Sequence, residues 1–269
     1  MLLEAKNISL GFGESLVIKD LSFKVEKGKV ISILGPNGSG KSTVLKGLAK
    51  TQTFYMGSVY LDGKNIQLIN SKKLARQLAM LIQSPQAPSD LTVRELVEYG
   101  RFPHQEWWSG RSEDDKKLVE WALEQTGLAL LADRPVETLS GGERQRAWIA
   151  MVMAQNPQVL LLDEPTTYLD IAHQLEILNL VTELNATQKV TVVMVLHDIN
   201  HAARYSDYMA VLNKGELYSF GTPQQVLTTT MLREVFGVNG GIWANEEGQP
   251  QCTIYGLVQS KDNLMSRER

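Results

Sequence analysis

A glycine-rich segment of the chain reads Gly35-Pro36-Asn37-Gly38-Ser39-Gly40-Lys41-Ser42-Thr43. It matches the phosphate-binding pattern G-x-x-x-x-G-K-[ST], and it lies between a predicted strand at 30–34 and a predicted helix at 42–49, as that pattern requires. Glycines let backbone amides wrap around phosphate groups, and the helix N-terminus adds its positive dipole end. We expect Lys41 to reach the β- and γ-phosphates of a nucleotide and Ser42 to ligate Mg²⁺.

The composition is that of an ordinary globular protein. The chain has 269 residues, of which 43% are hydrophobic and 21% charged. Its net charge of −3, from 27 basic and 30 acidic residues, argues against broad nucleic-acid binding. The single cysteine, Cys252, cannot form an internal disulfide, which fits a reducing compartment. The most apolar run, 190–196, is far shorter than the roughly 20 residues that span a bilayer, so we expect no membrane crossing.

The hydrophobic pattern divides the chain into a core and an insertion. The N-terminal part reads mostly as strands around one helix, with an alternating strand at 18–25 and a buried strand at 80–83. The pattern then turns helical after a capping-box start at Thr92. Alternation of strand and helix resumes at Val159, which predicts a parallel sheet buried on both faces, and Lys214-Gly215 is expected to turn a final hairpin. The predicted organisation is one domain over 1–258, with a core at about 1–88 and 157–240, a helical subdomain at about 89–156, and a polar tail at 259–269.

Two adjacent carboxylates end a strongly apolar strand. The predicted strand at 159–162 is followed by Asp163 and Glu164, and ligands of open parallel sheets bind beyond the carboxyl ends of the strands. Asp163 is therefore expected to ligate Mg²⁺, directly or through water. Because adjacent residues of a strand point to opposite sides, Glu164 is expected to have a separate role, as the general base that polarises the attacking water.

A second glycine pair lies within Leu139-Ser140-Gly141-Gly142-Glu143-Arg144-Gln145-Arg146. Ser140 and Glu143 form a capping-box pattern that starts a helix. That pattern does not account for Gly141 and Gly142, since each glycine costs about 1 kcal/mol relative to alanine within a helix. Glycines at these positions leave the amides of a helix N-terminus unobstructed, which predicts a second anion site.

These segments, GPNGSGKST, LSGGERQR and VLLLDEP, resemble in order and spacing the ATP-binding subunits of ABC transporters. The resemblance covers nearly the whole chain. It implies an α/β fold with a P-loop nucleotide-binding core around a parallel sheet, an N-terminal antiparallel β subdomain and a helical insertion subdomain. It also implies that two chains pack head to tail, so that the helix from Ser140 binds the γ-phosphate held by the other chain's Lys41 loop.

Further positions match motifs of that family one by one. Gln83 matches the glutamine that contacts Mg²⁺ and the lytic water, and His197 matches the switch histidine at the γ-phosphate. Asp170 matches the segment that crosses the dimer seam, although it could equally be the N-cap of the following helix. Phe12 stands where the family usually has a tyrosine that stacks on adenine, and phenylalanine keeps the aromatic face.

The segments 92–104 and 166–170 and the short tail beyond 236–238 resemble the importer group for iron-siderophores, haem and vitamin B12. The implied function is an ATPase that uses ATP and Mg²⁺ to energise uptake of an iron-siderophore complex, with haem or vitamin B12 as alternative cargo. The implied partners are two hydrophobic permease subunits and an extracytoplasmic substrate-binding protein, with the chain itself a homodimer bound peripherally at the cytoplasmic face of the cell membrane. Four aromatic residues could line a groove for a permease helix or anchor a long loop. They are Tyr99, Phe102, Trp107 and Trp108.

A soluble ABC ATPase that acts on DNA or the ribosome is the alternative from another class. Such proteins usually fuse two nucleotide domains or insert a coiled coil or a zinc site. This chain has one copy of each motif, one cysteine and no heptad insertion, which favours the transporter subunit.

Overall fold

The computed structural model describes residues 2–105 and 112–258. Its strands, in chain order, are β1 (Leu3–Phe12), β2 (Ser15–Val25), β3 (Val30–Leu34), β4 (Phe54–Leu61), β5 (Lys64–Asn65), β6 (Leu78–Leu81), β7 (Val159–Asp163), β8 (Thr191–Val195), β9 (Tyr208–Asn213), β10 (Glu216–Gly221), β11 (Val238–Ala244) and β12 (Pro250–Leu257). Its α-helices are α1 (Lys41–Leu48), α2 (Ser71–Ala75), α3 (Val93–Tyr99), α4 (Glu113–Gln125), α5 (Gly141–Ala154), α6 (Ile171–Gln188), α7 (Ile199–Tyr205), α8 (Pro223–Val226) and α9 (Thr229–Phe236).

The strands form two main sheets and one separate hairpin. The larger sheet has the order β10-β9-β3-β8-β7-β6, and its pairs from β9 to β6 are parallel, whereas β10 joins β9 antiparallel. The smaller sheet, β2-β1-β4-β5, is antiparallel throughout. Among the described residues, β11 and β12 pair only with each other. The mixed α/β fold with an N-terminal antiparallel sheet is therefore as expected.

The central strands β3, β7 and β8 are buried on both faces, because nearly all of their residues are apolar and every one of them is buried. Along β7, Leu160 and Leu162 pack into one hydrophobic cluster, whereas Val159 and Leu161 pack into the other, as the two-residue period of a strand requires. The first cluster joins this sheet to α3, α4, α5 and α6, and the second joins it to α1 and the antiparallel sheet. Strands β3, β7 and β8 consequently lie in the interior of the sheet, and because they are parallel their carboxyl ends lie at one edge.

Helices α3, α4 and α5 each begin with a reciprocal capping box. Thr92 and Glu95, Ser112 and Asp115, and Ser140 and Glu143 are the three pairs. In each pair the hydroxyl accepts from the backbone N–H three residues later, and the carboxylate accepts from the backbone N–H of the cap, so two unsatisfied amides are paired at each helix start. The helices between 93 and 154 expected from sequence are confirmed. The subdomain boundaries near 88 and 156 stay a prediction.

Two stretches differ from the sequence-based expectation. The strand expected at 80–83 is shifted to Leu78–Leu81, because the carbonyl of Gln77 already accepts from the amides of Gln158 and Val159, so that sheet pairing begins early. Gln83 thus lies beyond the strand, in the segment that leads to the helical part. The hairpin at Lys214-Gly215 is present but is not the last one, since β11–β12 follows it. Trp107, Trp108 and the tail at 259–269 lie outside the described residues.

Candidate functional site

The glycine-rich loop connects β3 to α1 at the carboxyl edge of the large sheet. Gly35 and Gly40 have φ values of 150° and 96°, and both are closely packed. A Cβ on Gly35 would lie 2.3 Å from the carbonyl oxygen of Leu212, and one on Gly40 would lie 2.4 Å from Cδ1 of Ile18. A side chain at either position would therefore displace the loop, which explains glycine there.

Lys41 and Ser42 begin helix α1 and turn toward the loop and the end of β7. Lys41 Nζ donates to the carbonyl oxygens of Gly35, at 2.9 Å, and Pro36, at 3.1 Å. Its side chain is buried, and this burial lowers the pKa of the ammonium group. Ser42 Oγ donates to Asp163 Oδ1 over 2.8 Å. The hydroxyl of one motif and the carboxylate of another are thus in direct contact, 121 residues apart in the chain.

Glu164 is held by three side chains. Its Oε1 lies 2.7 Å from Nε2 of His197, whereas its Oε2 accepts from Nε2 of Gln83, at 2.6 Å, and from Oγ1 of Thr167, at 3.1 Å. The carboxylate is therefore fixed in one orientation by groups that follow β6, β7 and β8. The sequence brings none of these partners together except Thr167.

Asp163 and Glu164 diverge for a reason other than the one expected. Strand β7 ends at Asp163, and Glu164 has the left-handed φ of 53°, so strand alternation does not separate the two side chains. The backbone reverses at Glu164 instead. Asp163 is only 4% exposed, and burial raises the pKa of its carboxyl group although Ser42 donates to it.

A cleft of about 540 Å³ lies over the loop. Six of its lining residues come from the glycine-rich segment, and three others are Gln83, Glu164 and His197. Val17, Thr167 and Tyr168 complete the wall. The structure therefore brings the phosphate-loop residues and the proposed water-activating residues to one cleft. The loop residues in its lining are Asn37, Gly38, Gly40, Lys41, Ser42 and Thr43.

The start of α5 lies outside this cleft. Ser140 and Glu143 form the expected capping box, and the hydrogen bonds from Ser140 lower the pKa of the Glu143 carboxyl. Gly141 instead borders a neighbouring cleft of about 230 Å³ that also contacts Asp163 and Glu164. The residues at the N-terminus of α5 therefore do not line the cleft over their own chain's phosphate loop.

Gly142 has a packing role that the sequence did not reveal. The ring of His173 lies against it, so a Cβ at Gly142 would lie 2.2 Å from Cδ2 of that ring, whereas one at Gly141 would meet only Cδ2 of Leu169, at 4.0 Å. At Gly141, the need for unobstructed backbone amides is therefore the explanation for glycine, since a side chain would fit there. At Gly142, close packing requires glycine as well.

Asp170 and Phe12 lie at the margins of the site. Asp170 caps α6, where Oδ1 accepts from the backbone N–H of His173 at 2.9 Å and lies 2.7 Å from Nδ1 of its ring. The bond from that amide, followed by the ring contact, lowers the pKa of the Asp170 carboxyl. Phe12 ends β1 with its side chain 54% exposed and does not line the cleft. The N-cap interpretation of Asp170 is confirmed, while the dimer and adenine roles stay predictions.

Sequence reasoning missed Thr167 and Tyr168. Thr167 follows Glu164 by three residues, a spacing at which a turn returns a hydroxyl to a carboxylate, and the signal was therefore present. Tyr168 has a φ of 65° and is 88% exposed beside the cleft. No sequence pattern predicts a positive φ at an aromatic residue such as Tyr168.

A phosphate loop after β3 of a parallel sheet, with Asp163 and Glu164 at the same edge where β7 ends, defines a nucleotide-binding α/β protein of the P-loop class. The family model for ABC transporters matches residues 18–167. This chain belongs to the ABC transporter family, as one of its ATP-binding, ATP-hydrolysing subunits, which work with permease subunits in the membrane.

Relatives resemble the chain over almost all of its length. It is 46% identical over 265 residues to the iron(3+)-hydroxamate import ATP-binding protein FhuC of Bacillus subtilis, a match that covers 98% of both chains. It is 45% identical over 255 residues to the petrobactin import ATP-binding protein FpuD of Bacillus anthracis, covering 94% of this chain and 93% of that one. A metal-chelate type ABC transporter solved in an inward-facing conformation superposes with a TM-score of 0.82 at 26% identity, over 97% of this chain and 99% of that one.

No helix in 2–105 or 112–258 is both long enough and apolar enough to cross a membrane.

Proposed function

We propose that this chain is the ATP-hydrolysing subunit that energises import of a ferric siderophore. The proposal of a ferric siderophore as cargo rests on the full-length similarity to FhuC, whose name states import of iron(3+)-hydroxamate. The likeness to a metal-chelate type transporter supports the same class of cargo. The proposed partners are two permease subunits in the membrane and an extracytoplasmic substrate-binding protein, with a pair of copies of this chain bound to the permeases at the cytoplasmic face.

Glu164 is the proposed general base. The carboxylate lies in the cleft above the phosphate loop, and Gln83, Thr167 and His197 hold both of its oxygens. A base held in one orientation needs little reorganisation when it takes a proton from the attacking water. His197 would contact the γ-phosphate, and Lys41 would bind the β- and γ-phosphates after releasing the two loop carbonyls that it now contacts.

Ser42 and Asp163 are the proposed Mg²⁺ ligands. Their oxygens share a hydrogen bond of 2.8 Å, so a hydroxyl and a carboxylate, two of the oxygen ligands that Mg²⁺ takes, point to one place. Gln83 follows β6 beside them and offers an amide oxygen, since its Nε2 is the atom that donates to Glu164. When bound, Mg²⁺ neutralises charge that develops on the phosphates.

Hydrolysis is proposed to need two chains. The N-terminus of α5, with Ser140, Gly141, Gly142 and Glu143, does not line the cleft of its own chain. A helix N-terminus binds anions, and head-to-tail packing would place it on the γ-phosphate held by the partner. In that arrangement Asp170 and the segment 166–170 would lie at the seam, and Phe12 would stack on adenine at the outer margin.

Growth and uptake in a deletion strain test the proposal. Deletion of the gene should abolish growth on a ferric hydroxamate siderophore as sole iron source, and the wild-type gene but not the Glu164→Gln variant should restore it. Uptake of labelled ferric siderophore, haem and cobalamin should be measured side by side in the same strain. Undiminished siderophore uptake together with loss of haem or cobalamin uptake would show that the proposed cargo is wrong, and would leave the assignment as an ATPase subunit unchanged.

A further inference from the structure

The C-terminal hairpin is tied to the helix that follows His197. Asn200 Nδ2 donates to the carbonyl oxygen of Cys252 over 3.0 Å, and the backbone N–H of Cys252 donates to Asn200 Oδ1 over 2.8 Å. One side-chain amide thus satisfies both backbone groups of one strand residue, as a neighbouring strand would. The two residues are 52 positions apart.

These two hydrogen bonds, which we call the tie between Asn200 and Cys252, lie at the free edge of the two-stranded hairpin β11–β12. Cys252 pairs with Ile242 of β11 in the register of the hairpin, and its side chain is buried in the same hydrophobic cluster against which Ile242 packs. Because the N–H and C=O of Cys252 both bond to Asn200, they point away from β11. The edge of β12 is therefore covered at this residue by α7, and the hairpin is fixed to the core from two sides.

Asn200 lies in the first turn of α7, close to the proposed γ-phosphate histidine. Strand β8 ends at Val195, His197 follows it, and Asp198 caps α7 by accepting from the backbone N–H of His201 over 2.8 Å. His197 thus lies in the short connection between the buried strand β8 and helix α7. The side chain of His197 is 46% exposed, and Nε2 of its ring lies 2.7 Å from Oε1 of Glu164. Packing around the ring constrains it only in part, so the position of the first turn of α7 helps to set where the ring meets Glu164.

We propose that Asn200 is a positioning residue for His197, and that the C-terminal hairpin, through Cys252, fixes the first turn of α7 so that His197 meets Glu164. The tie does not touch the phosphate loop, the Ser42–Asp163 contact or Gln83. Its loss should therefore slow the chemical step and leave ATP affinity unchanged. The inference rests on the proposed roles of Glu164 and His197.

The test compares three substitutions at one position in the full chain. Asn200→Ala removes both hydrogen bonds, and Asn200→Asp keeps the size and the acceptor but turns an oxygen toward the carbonyl of Cys252. Both should lower kcat at least about fivefold, because small misplacements of catalytic groups are costly, with the Kd for ATP within about twofold of wild type. Asn200→Gln keeps the amide and should recover part of kcat.

Two matched controls remove hydrogen bonds nearby without touching the tie. Tyr205→Phe removes the bond from the Tyr205 hydroxyl to Asn179 at the other end of α7, and Asn245→Ala removes the bonds that close the hairpin turn. Both should lower thermal stability with kcat unchanged. Equal losses of kcat in the controls and the Asn200 variants would reduce Asn200 to a general structural role.

A second readout does not depend on activity. In protein labelled with ¹⁵N-histidine, the ring resonances of His197, assigned with His197→Gln, should shift in Asn200→Ala and Asn200→Asp but not in Tyr205→Phe. If neither kcat nor these resonances move while Glu164→Gln is inactive, the inference is wrong and the proposed function stands. If Glu164→Gln hydrolyses ATP normally, the proposed role of Glu164 as general base is wrong, and the resonances alone decide whether Asn200 positions His197.

Discussion

The imidazole of His173 lies against Gly142, so that a Cβ added to Gly142 would come within 2.2 Å of Cδ2 of the ring. The ring cannot retreat freely, because its Nδ1 lies 2.7 Å from Oδ1 of Asp170, which also caps α6. The start of α5 and the start of α6 are therefore packed through a single histidine. This contact joins the segment 139–146, which contains the second glycine pair, to the segment that follows Glu164.

Substitution of Gly142 should reveal that contact. Gly142→Ala should lower the free energy of unfolding by about 1–3 kcal/mol, the usual cost of overpacking, and His173→Ala in the same chain should return most of it. Gly141→Ala is the matched control, since its Cβ would meet only Leu169 at 4.0 Å. Urea unfolding gives the free energy of unfolding of the wild type, of each single glycine variant, and of the double variant Gly142→Ala/His173→Ala. Equal effects of the two glycine substitutions would show that the ring moves aside at no cost.

Removal of the proposed base should separate ATP binding from hydrolysis. Glu164→Gln should bind ATP as the wild type does and hydrolyse it at least about 10²-fold more slowly, a barrier increase of roughly 3 kcal/mol. With hydrolysis blocked, ATP should hold two chains together, which size-exclusion chromatography with light scattering can detect. Hydrolysis close to the wild-type rate would remove Glu164 from the mechanism.

Two further variants should distinguish binding within one chain from assembly between two. Lys41→Ala should lose ATP affinity, since Lys41 is the cation of the phosphate loop. Ser140→Arg should bind ATP as a single chain but should not hydrolyse it, because the new side chain blocks the phosphate site offered to the partner. In a mixture of both variants, one composite site carries both lesions and the other carries none, so activity should partly return. Loss of ATP binding by the Ser140→Arg monomer would contradict the head-to-tail arrangement.

The buried carboxyl of Asp163 should lower the stability of the nucleotide-free chain as pH rises, although hydrolysis requires it. Burial raises the pKa of its carboxyl group in the folded chain, so the folded state binds a proton more tightly than the unfolded state does. Stability is therefore lost as pH rises from the ordinary aspartate pKa of about 4 through the raised value, where the buried carboxyl must ionise. Asp163→Asn should raise Tm at pH 7–8 without nucleotide, and this gain should vanish toward pH 4, while hydrolysis is lost.

Asp170→Asn is the control for that titration. The pKa of Asp170 is lowered by the hydrogen bond from the backbone N–H of His173 and by the ring contact. Its ionised form therefore stabilises the folded chain above the ordinary pKa, and this contribution is lost as pH falls through the lowered one. Asp170→Asn should accordingly lower Tm at neutral pH. Tm changes of one sign for both variants would contradict the assignment of the Asp163 effect to burial.

A buried ion pair should hold the helical part together. Arg101 Nε donates to Asp115 Oδ1 over 2.7 Å, its Nη1 donates to the carbonyl of Ala154 over 2.8 Å, and both charged side chains are less than a tenth exposed. Arg101→Ala leaves the carboxylate of Asp115 buried without its partner and should cost about 3–5 kcal/mol of stability. Arg101→Lys keeps the charge and should recover part. Urea denaturation decides, and a loss below about 1 kcal/mol for Arg101→Ala would contradict the buried pair.

Much of the architecture could be predicted because its determinants are local. A capping box needs only residues three apart, as at Ser140 and Glu143, and a buried strand such as β7 needs only a short apolar run. The phosphate loop is likewise contained within 35–43. Each of these patterns stabilises its own element in the same way wherever the element lies in the fold, so the sequence by itself determined them.

The contacts that make the site were decided by the tertiary structure. His197 reaches Glu164 because β8 lies beside β7 in the sheet, and Gly142 meets His173 because two helix starts converge. The hairpin from Val238 was missed since Gly240 and Gly241 interrupt its strand pattern, and it exists as a pair of strands held by register and by Asn200. Such contacts depend on strand order and on how segments far apart in the chain pack together, and no local pattern encodes either.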